Sequence, residues 1–321
     1  MDLRHKNILV TGGAGLIGSE TIRQLLNIPN VHIRATEYKN KKINIVDKNL
    51  EVVTCDLFNY NDSLTVSKDI DVAINCASQV MGVLGQNTFH FDYIRNQIIL
   101  HINFINSIVE NKVKNSMLIG SSTAYPYRNH PVKEYEMFEE DPDKTYFGVG
   151  WVKRYIEKYC QDVNNFCDNI NINLIRIGAT FGPNENFKGD LCHVIPAFIK
   201  KAHSKMNPFK IFGDGKQKRD FVYVEDVARA IILSLEKNER YNPVNIAMGK
   251  SISIKELSDI VIKNYEYEPE IKYIYDAPTM IKERYIDIQK AKEVLGWEPE
   301  ISVDEGIKRT VKWYKNECND K

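Results

Sequence analysis

Short runs of β-branched and aliphatic residues alternate, through the first half of the chain, with longer stretches in which apolar residues recur every three or four positions. That alternation predicts strand–helix–strand units and a parallel sheet. Strands are expected at residues 6–11, 31–36, 50–54, 72–75, 117–119 and 172–177, and helices at 16–26, 91–111 and 151–167. The longest helix carries Ile94, Ile98, Leu100, Ile102, Ile105 and Ile108. After Gly178 the pattern loosens. Gly182, Gly189, Gly213 and Gly215 mark loops, and helices are expected near 194–204, 226–235, 253–264, 289–295 and 303–317. The fold class expected is α/β: a doubly wound parallel sheet with a smaller, discontinuous α/β lobe. The larger unit takes residues 1–177 plus about 224–250, and the lobe takes 178–223 plus about 251–321.

Charge narrows the choice of partner. Lys+Arg and Asp+Glu both number 43, for a formal net charge of zero. A general nucleic-acid binder needs clustered positive charge, so no nucleic-acid partner is expected. No run approaches the 18 or so apolar residues of a membrane span, and the opening MDLRHKNILVTGG enters the first strand with no apolar leader. A cytoplasmic protein without membrane contact is therefore expected. The six cysteines (Cys55, Cys76, Cys160, Cys167, Cys192, Cys318) are scattered without a CxxC, which reads as reduced thiols and no metal site.

The strongest chemical signal is Thr11-Gly12-Gly13-Ala14-Gly15-Leu16-Ile17-Gly18, lying directly between the first strand and its helix. Gly12 suits a tight turn, Gly15 lets backbone N–H groups approach a pyrophosphate, and Gly18 permits close helix–strand packing. The helix N-terminus at Leu16 and Ile17 adds partial positive charge. Together these specify a Rossmann dinucleotide site in the larger unit. Glu37, ending the second strand, is placed to accept the adenosine ribose hydroxyls, which favours NAD(H). Arg34, Lys39, Lys41 and Lys42 stand near enough to receive a 2′-phosphate, so NADP(H) stays an alternative. Asp56 and Leu57 would flank the adenine, and Ala77, in Cys76-Ala77-Ser78, would line the ribose and phosphates.

On these residues the chain resembles the extended short-chain dehydrogenase/reductases, specifically the NAD-dependent nucleotide-sugar epimerases, reductases and dehydratases. The resemblance rests on TGGAGLIG at 11–18, GSSTAYP at 120–126, RIGATFGP at 176–183, GDGKQKRDFVYVEDVARA at 213–230 and KAKEVLGWEP at 290–299. GSSTAYP and the HVIPA of 193–197 are most similar to the GDP-fucose synthases of that family. The resemblance implies that Ser121 hydrogen-bonds the reacting sugar oxygen and that Lys153 binds the nicotinamide ribose. It also implies that His193 acts as an acid and that Arg219 holds the substrate diphosphate, with Arg284 a further candidate for the nucleotide. Related enzymes pair through the helices at 91–111 and 151–167, so a homodimer is expected.

Two departures complicate that picture. The family's catalytic Tyr-x-x-x-Lys reads Val149-Gly150-Trp151-Val152-Lys153, and valine cannot transfer a proton. Tyr146, seven residues before Lys153, reaches the site if Gly148 and Gly150 distort the start of the helix. Thr123 stands where fucose synthases have a basic cysteine, which makes their double epimerisation doubtful, and it is left as a substrate-binding candidate. The leading expectation is an NAD(P)-dependent oxidoreductase or epimerase of a nucleotide-diphospho-sugar, a GDP-sugar first, with hydride transfer at a sugar carbon, C4 first. Ser121, Tyr146, Lys153 and His193 are the catalytic candidates. The alternative is a dinucleotide-binding sensor or partner subunit with little catalysis.

Overall fold

The computed structural model describes residues 1–39, 41–79, 90–189, 192–237 and 239–319. Its centre is a seven-stranded sheet built from β1 (Asn7–Thr11), β2 (His32–Glu37), β3 (Leu50–Thr54), β4 (Val72–Asn75), β5 (Asn115–Ser121), β6 (Asn171–Ile177) and, far along the chain, a last strand at Val244–Ile246. The spatial order is last strand–β6–β5–β4–β1–β2–β3, and every pairing is parallel. The order reverses between β1 and β4, so the crevice above their C-terminal ends is the switch point where open α/β sheets bind ligands. β1 and β4 are apolar and almost wholly buried, as a strand covered on both faces must be.

One face of the sheet is closed by α1 (Leu16–Leu25) and by a helix at Val224–Lys237, whose Val227, Ala230 and Ile231 pack with Ile8, Val10 and Ile22. The other face is closed by α2 (Tyr60–Val66), α3 (His90–Glu110) and α4 (Phe147–Phe166). There Leu100, Phe104, Ile105 and Ile108 of α3 meet Val152, Ile156 and Cys160 of α4. The rest of the chain adds β7 (Ala179–Phe181), α5 (Val194–His203), β8 (Phe209–Phe212), β9 (Lys218–Arg219) and β10 (Phe221–Tyr223), followed by α6 (Val224–Lys237) and β11 (Val244–Ile246) just described. It continues with β12 (Ile252–Ser253), α7 (Ile254–Lys263), β13 (Ile271–Ile274), a π-helical turn at Ala291–Leu295 and α8 (Val303–Asn319). Three two-stranded pairings, β7–β10, β8–β13 and β9–β12, sit around a separate apolar cluster with Phe198, Phe209, Leu257 and Ile307.

Two of the elements that extend beyond their sequence expectation matter for the site. β5 runs on through Gly120 and Ser121, delivering Ser121 at the strand's C-terminal end. α4 begins at Phe147, four residues before the expected start, so Gly148 and Gly150 lie inside the helix and do not break it. Gly150 is buried because α4 docks closely: a Cβ there would meet Pro142 Cβ at 2.5 Å and the Thr123 carbonyl oxygen at 2.9 Å. Tertiary packing overrides the weak helix propensity of glycine.

A buried polar network locks α4, β5 and β6 together behind this contact. Arg176 of β6 donates from Nε to Glu157 Oε2 at 3.0 Å, pairs through Nη2 with Glu157 Oε1, and reaches the Tyr125 hydroxyl at 2.8 Å. Tyr125 in turn donates to Asn245 of β11 at 2.6 Å. Arg154 of α4 donates to the Ala124 carbonyl at 2.8 Å, which fixes the turn after Ser121.

Candidate active site

The glycine loop is held from both sides. Gly12 N–H donates to Thr36 Oγ1 at 3.1 Å and Gly13 N–H to the Thr36 carbonyl at 2.9 Å. Thr11 Oγ1 donates to Asn75 Oδ1 at 2.7 Å, and Ala77 N–H shares that oxygen at 3.1 Å. Gly12 has φ +68° and lies so close to β4's exit that a Cβ would come within 2.7 Å of Ala77 Cα. At Gly18 a Cβ would strike the Gly12 carbonyl, so the helix can seat against the loop only with glycine there. Gly15 caps α1 with extended backbone, no side chain caps the helix, and its first turn holds no acid. The first-turn N–H groups, at Leu16 and Ile17, therefore face the crevice with the helix dipole behind them, which fits a pyrophosphate.

Glu37 sits at the end of β2, where its carboxylate receives Lys42 Nζ at 2.5 Å and Ile43 N–H at 3.2 Å. Lys42 holds that carboxyl below its ordinary range, so it is an anion able to accept ribose hydroxyls. Arg34 is turned away: its guanidinium binds Glu51 and the carbonyls of Val66 and Lys68. Asp56 serves its own loop, accepting from Phe58 N–H at 3.0 Å, and Leu57 is buried beside it.

Across the switch point, Ser121 and Thr123 form a hydroxyl pair. Thr123 Oγ1 donates to Ser121 Oγ at 2.9 Å, and Thr123 N–H donates to the same oxygen at 3.2 Å. Ser121 thus accepts twice, which leaves its own hydrogen to donate to a ligand oxygen. Lys153, on α4, has its Nζ 3.3 Å from Nε2 of His101 on α3. Burial pushes the Lys153 ammonium down to about 8. His101 is 3% exposed, and burial followed by the neighbouring Lys153 pushes its ring down to about 3, so the imidazole is neutral. Nothing in the sequence singles out His101: only the packing of α3 on α4 brings it to Lys153.

Val149 is buried with Tyr93, Tyr146 and Ile281. Tyr146 occupies the N-cap of α4, two turns from Lys153, and lies beside the Arg219 charge. Arg219 is half-buried on β9, and burial lowers its pKa. Arg284 is 5% exposed and donates to the carbonyls of Pro126 at 2.7 Å and Tyr125 at 3.1 Å. Its Nε is buried without a partner among the described residues. Ser121 and Thr123 pair on the turn against which α4 packs, α4 carries Lys153, and Tyr146, Arg219 and Arg284 lie together at another point. His193 sits at the N-cap of α5, with Nδ1 2.8 Å from Glu185 Oε1. Glu185, nearly buried, is a partner the sequence reading missed. Among the described residues, no three His, Cys, Asp or Glu side chains gather to hold a metal ion, and no helix is long and apolar enough to cross a membrane.

Residues 8–247 match the NAD dependent epimerase/dehydratase family, and the chain belongs to that family of enzymes. Membership makes NAD the cofactor and sets aside the sensor reading. A protein of Methanocaldococcus jannaschii, provisionally named UDP-glucose 4-epimerase, is 35% identical over 96% of this chain and 98% of its own length. GDP-L-fucose synthase 1 of Arabidopsis thaliana is 26% identical over 99% of this chain and 96% of its own. Among solved structures, UDP-N-acetylglucosamine 4-epimerase from Methanobrevibacter ruminantium M1, in complex with UDP-N-acetylmuramic acid, superimposes with a TM-score of 0.85 at 28% identity. That match covers 98% of this chain and 99% of the other.

Proposed function

We propose that this enzyme oxidises or reduces a nucleotide-diphospho-sugar at one sugar carbon, C4, as a reductase, dehydrogenase or epimerase. The observation that carries the reading is the Ser121–Thr123 hydroxyl pair at the C-terminal end of β5, on the turn against which the Lys153-bearing helix α4 packs. Bound NAD supplies the hydride acceptor or donor. Gly12, Gly15, Leu16, Ile17 and Gly18 hold its pyrophosphate, Glu37 its adenosine ribose, Asp56, Leu57 and Ala77 the adenine and ribose flanks, and Lys153 the nicotinamide ribose. With Glu37 ionised and Arg34 committed elsewhere, NADP(H) is the poorer fit.

Ser121 donates to the reacting sugar oxygen and Thr123 orients Ser121. Arg219 and Arg284 bind the diphosphate, because a guanidinium matches phosphate oxygens in pairs. Tyr146 lies beside the Arg219 charge, so in this reading it shapes that phosphate site, and a direct catalytic part for it is the weaker alternative. His193, oriented by Glu185, is the acid for any epimerisation. The larger unit (1–177 plus about 224–250) carries the dinucleotide, and the lobe (178–223 plus about 251–321) carries the nucleotide sugar. A GDP-sugar is favoured by GSSTAYP and HVIPA, and a UDP-sugar by the methanogen relative. A homodimer through α3 and α4 is supported by the exposed Ile98, Trp151 and Tyr155 on those helices. Light scattering giving a monomer mass would refute the dimer.

The test is to incubate the NAD-loaded protein with UDP-glucose, UDP-N-acetylglucosamine and GDP-mannose, and the NADH-loaded protein with a 4-keto GDP-sugar. Cofactor absorbance is followed and the products are separated. Conversion of one of them is expected. A cofactor-loaded protein that converts none and reduces or oxidises no cofactor would sink the reading.

A further inference from the structure

Val149 leaves the family's tyrosine position with no group that can carry a proton, yet a sugar oxygen that is oxidised must lose one. Tyr146 is not well placed to replace it, since it sits at the N-cap of α4, two turns before Lys153, packed among Tyr93, Val149 and Ile281 beside the Arg219 charge. Lys153 lies one turn after Val149 on the same face of α4, and its surroundings are specific. His101 Nδ1 lies 2.8 Å from the carbonyl oxygen of Gln97, one turn earlier on α3. A carbonyl only accepts, so Nδ1 carries the ring hydrogen and Nε2 presents a lone pair. That lone pair faces Lys153 Nζ at 3.3 Å. Because His101 can only accept, Lys153 must always give it one N–H. When Lys153 is an amine, its own lone pair is then turned away from α3.

We propose that Lys153 is itself the acid–base group for the reacting sugar oxygen in this chain, and that His101 is the positioning residue that aims it. The inference rests on the proposed function. On oxidation the sugar C–H hydride leaves for the nicotinamide and the hydroxyl proton passes to the Lys153 amine. The C=O bond forms and the lysine becomes an ammonium, and reduction runs the same transfers backwards. Ser121 donates to the sugar oxygen throughout.

Among the described residues, several other ionisable groups on the elements around Lys153 are engaged elsewhere. Arg176 of β6 is paired with Glu157, and Arg154 is bound to the Ala124 carbonyl. Asp92 and Arg95 of α3 pair with each other at 3.0 Å in the open. Tyr93 is packed in the apolar cluster with Val149. β5 and the turn after it, residues 115–124, carry no charged side chain.

The test follows Lys153 directly. In the NAD-loaded full-length enzyme with isotope-labelled lysine, the Lys153 resonance is assigned by its loss in Lys153→Arg and titrated by NMR. A midpoint of about 8 is expected. His101→Phe removes the acceptor that favours the ammonium, so the midpoint should fall, and His101→Gln, which can still accept, should restore it. His101→Leu replaces His101→Phe if the larger ring does not fold. A midpoint near the ordinary lysine value, or one indifferent to His101, would overturn the proposal.

A second readout is NADH formation with UDP-glucose and GDP-mannose across pH. In the wild type, kcat should rise with pH to the same midpoint. His101→Phe should lower kcat about 10–100-fold with little change in KM, and Tyr146→Phe should raise KM more than it lowers kcat. Loss of the pH dependence in Tyr146→Phe, with His101→Phe unaffected, would also overturn it. If the wild type acts on neither sugar nucleotide, the functional reading fails for those substrates, and the lysine titration alone decides the His101–Lys153 coupling.

Discussion

A buried lysine kept for chemistry should cost stability, and the cost should depend on pH in a calculable way. Lys153 ionises at about 8 in the folded protein, against an ordinary 10.5, because burial disfavours its charge. Below pH 8 the residue is charged in both states and the full penalty applies. Between pH 8 and 10.5 the unfolded chain binds more protons than the folded one, so stability must rise with pH across that window. A shift of this size corresponds to at most about 3 kcal/mol, of which about 2 kcal/mol falls between pH 7 and 9.5. Lys153→Met removes the ionisation. The variant loses a hydrogen bond to His101, a roughly pH-independent cost of about 1 kcal/mol. The pH slope, not the offset, is therefore the signal. Urea unfolding of the cofactor-free wild type and variant at several pH values would measure it. The wild type should gain stability relative to Lys153→Met as pH rises through 8 and beyond. Parallel curves from pH 7 to 9.5 would refute the claim that Lys153 is buried at the cost of its charge.

Other residues give sharper structural tests. Glu157→Gln leaves the 4%-exposed Arg176 charge without its carboxylate and should cost about 3–5 kcal/mol by denaturant unfolding, whereas replacing both partners with Met should recover much of the loss. Gly12→Ala combines an unfavourable positive φ with a Cβ driven toward the Ala77 backbone. NAD affinity, measured by calorimetry, should fall at least tenfold while thermal unfolding shifts by only a few degrees. Thr123→Val removes the hydroxyl that orients Ser121 and should lower kcat about 2–10-fold with cofactor affinity unchanged, as steady-state kinetics and NADH fluorescence would report.

The parts of this site written in local sequence were readable in advance, and the parts made by packing were not. The glycine loop could be read because the strand before it, the helix after it and the glycine spacing are adjacent in the chain. β4 matched its expected bounds since an uninterrupted apolar run between turns has few alternatives. The start of α4 was missed because Gly148 and Gly150 argue against helix locally, and only the fit of Gly150 against Pro142 and Thr123 reveals why it is helical. His101 looked like one more polar position on an amphipathic helix, since its partner lies 52 residues away. Arg34 is near enough to receive a phosphate by sequence distance alone, yet the strand turns it toward Glu51. The short strands of the lobe went unlisted because runs of two to four residues carry no readable period.

Hydride transfer at one sugar carbon can be followed by isotope labelling. UDP-glucose and GDP-mannose carrying deuterium only at C4 would be mixed with the NAD-loaded enzyme, and both cofactor and sugar analysed by mass spectrometry. Deuterium is expected on the nicotinamide, or returned to C4 of an epimer or reduced product, with one of the two sugars. Turnover that leaves the C4 deuterium untouched throughout, or exchanges it with water, would contradict hydride transfer at C4.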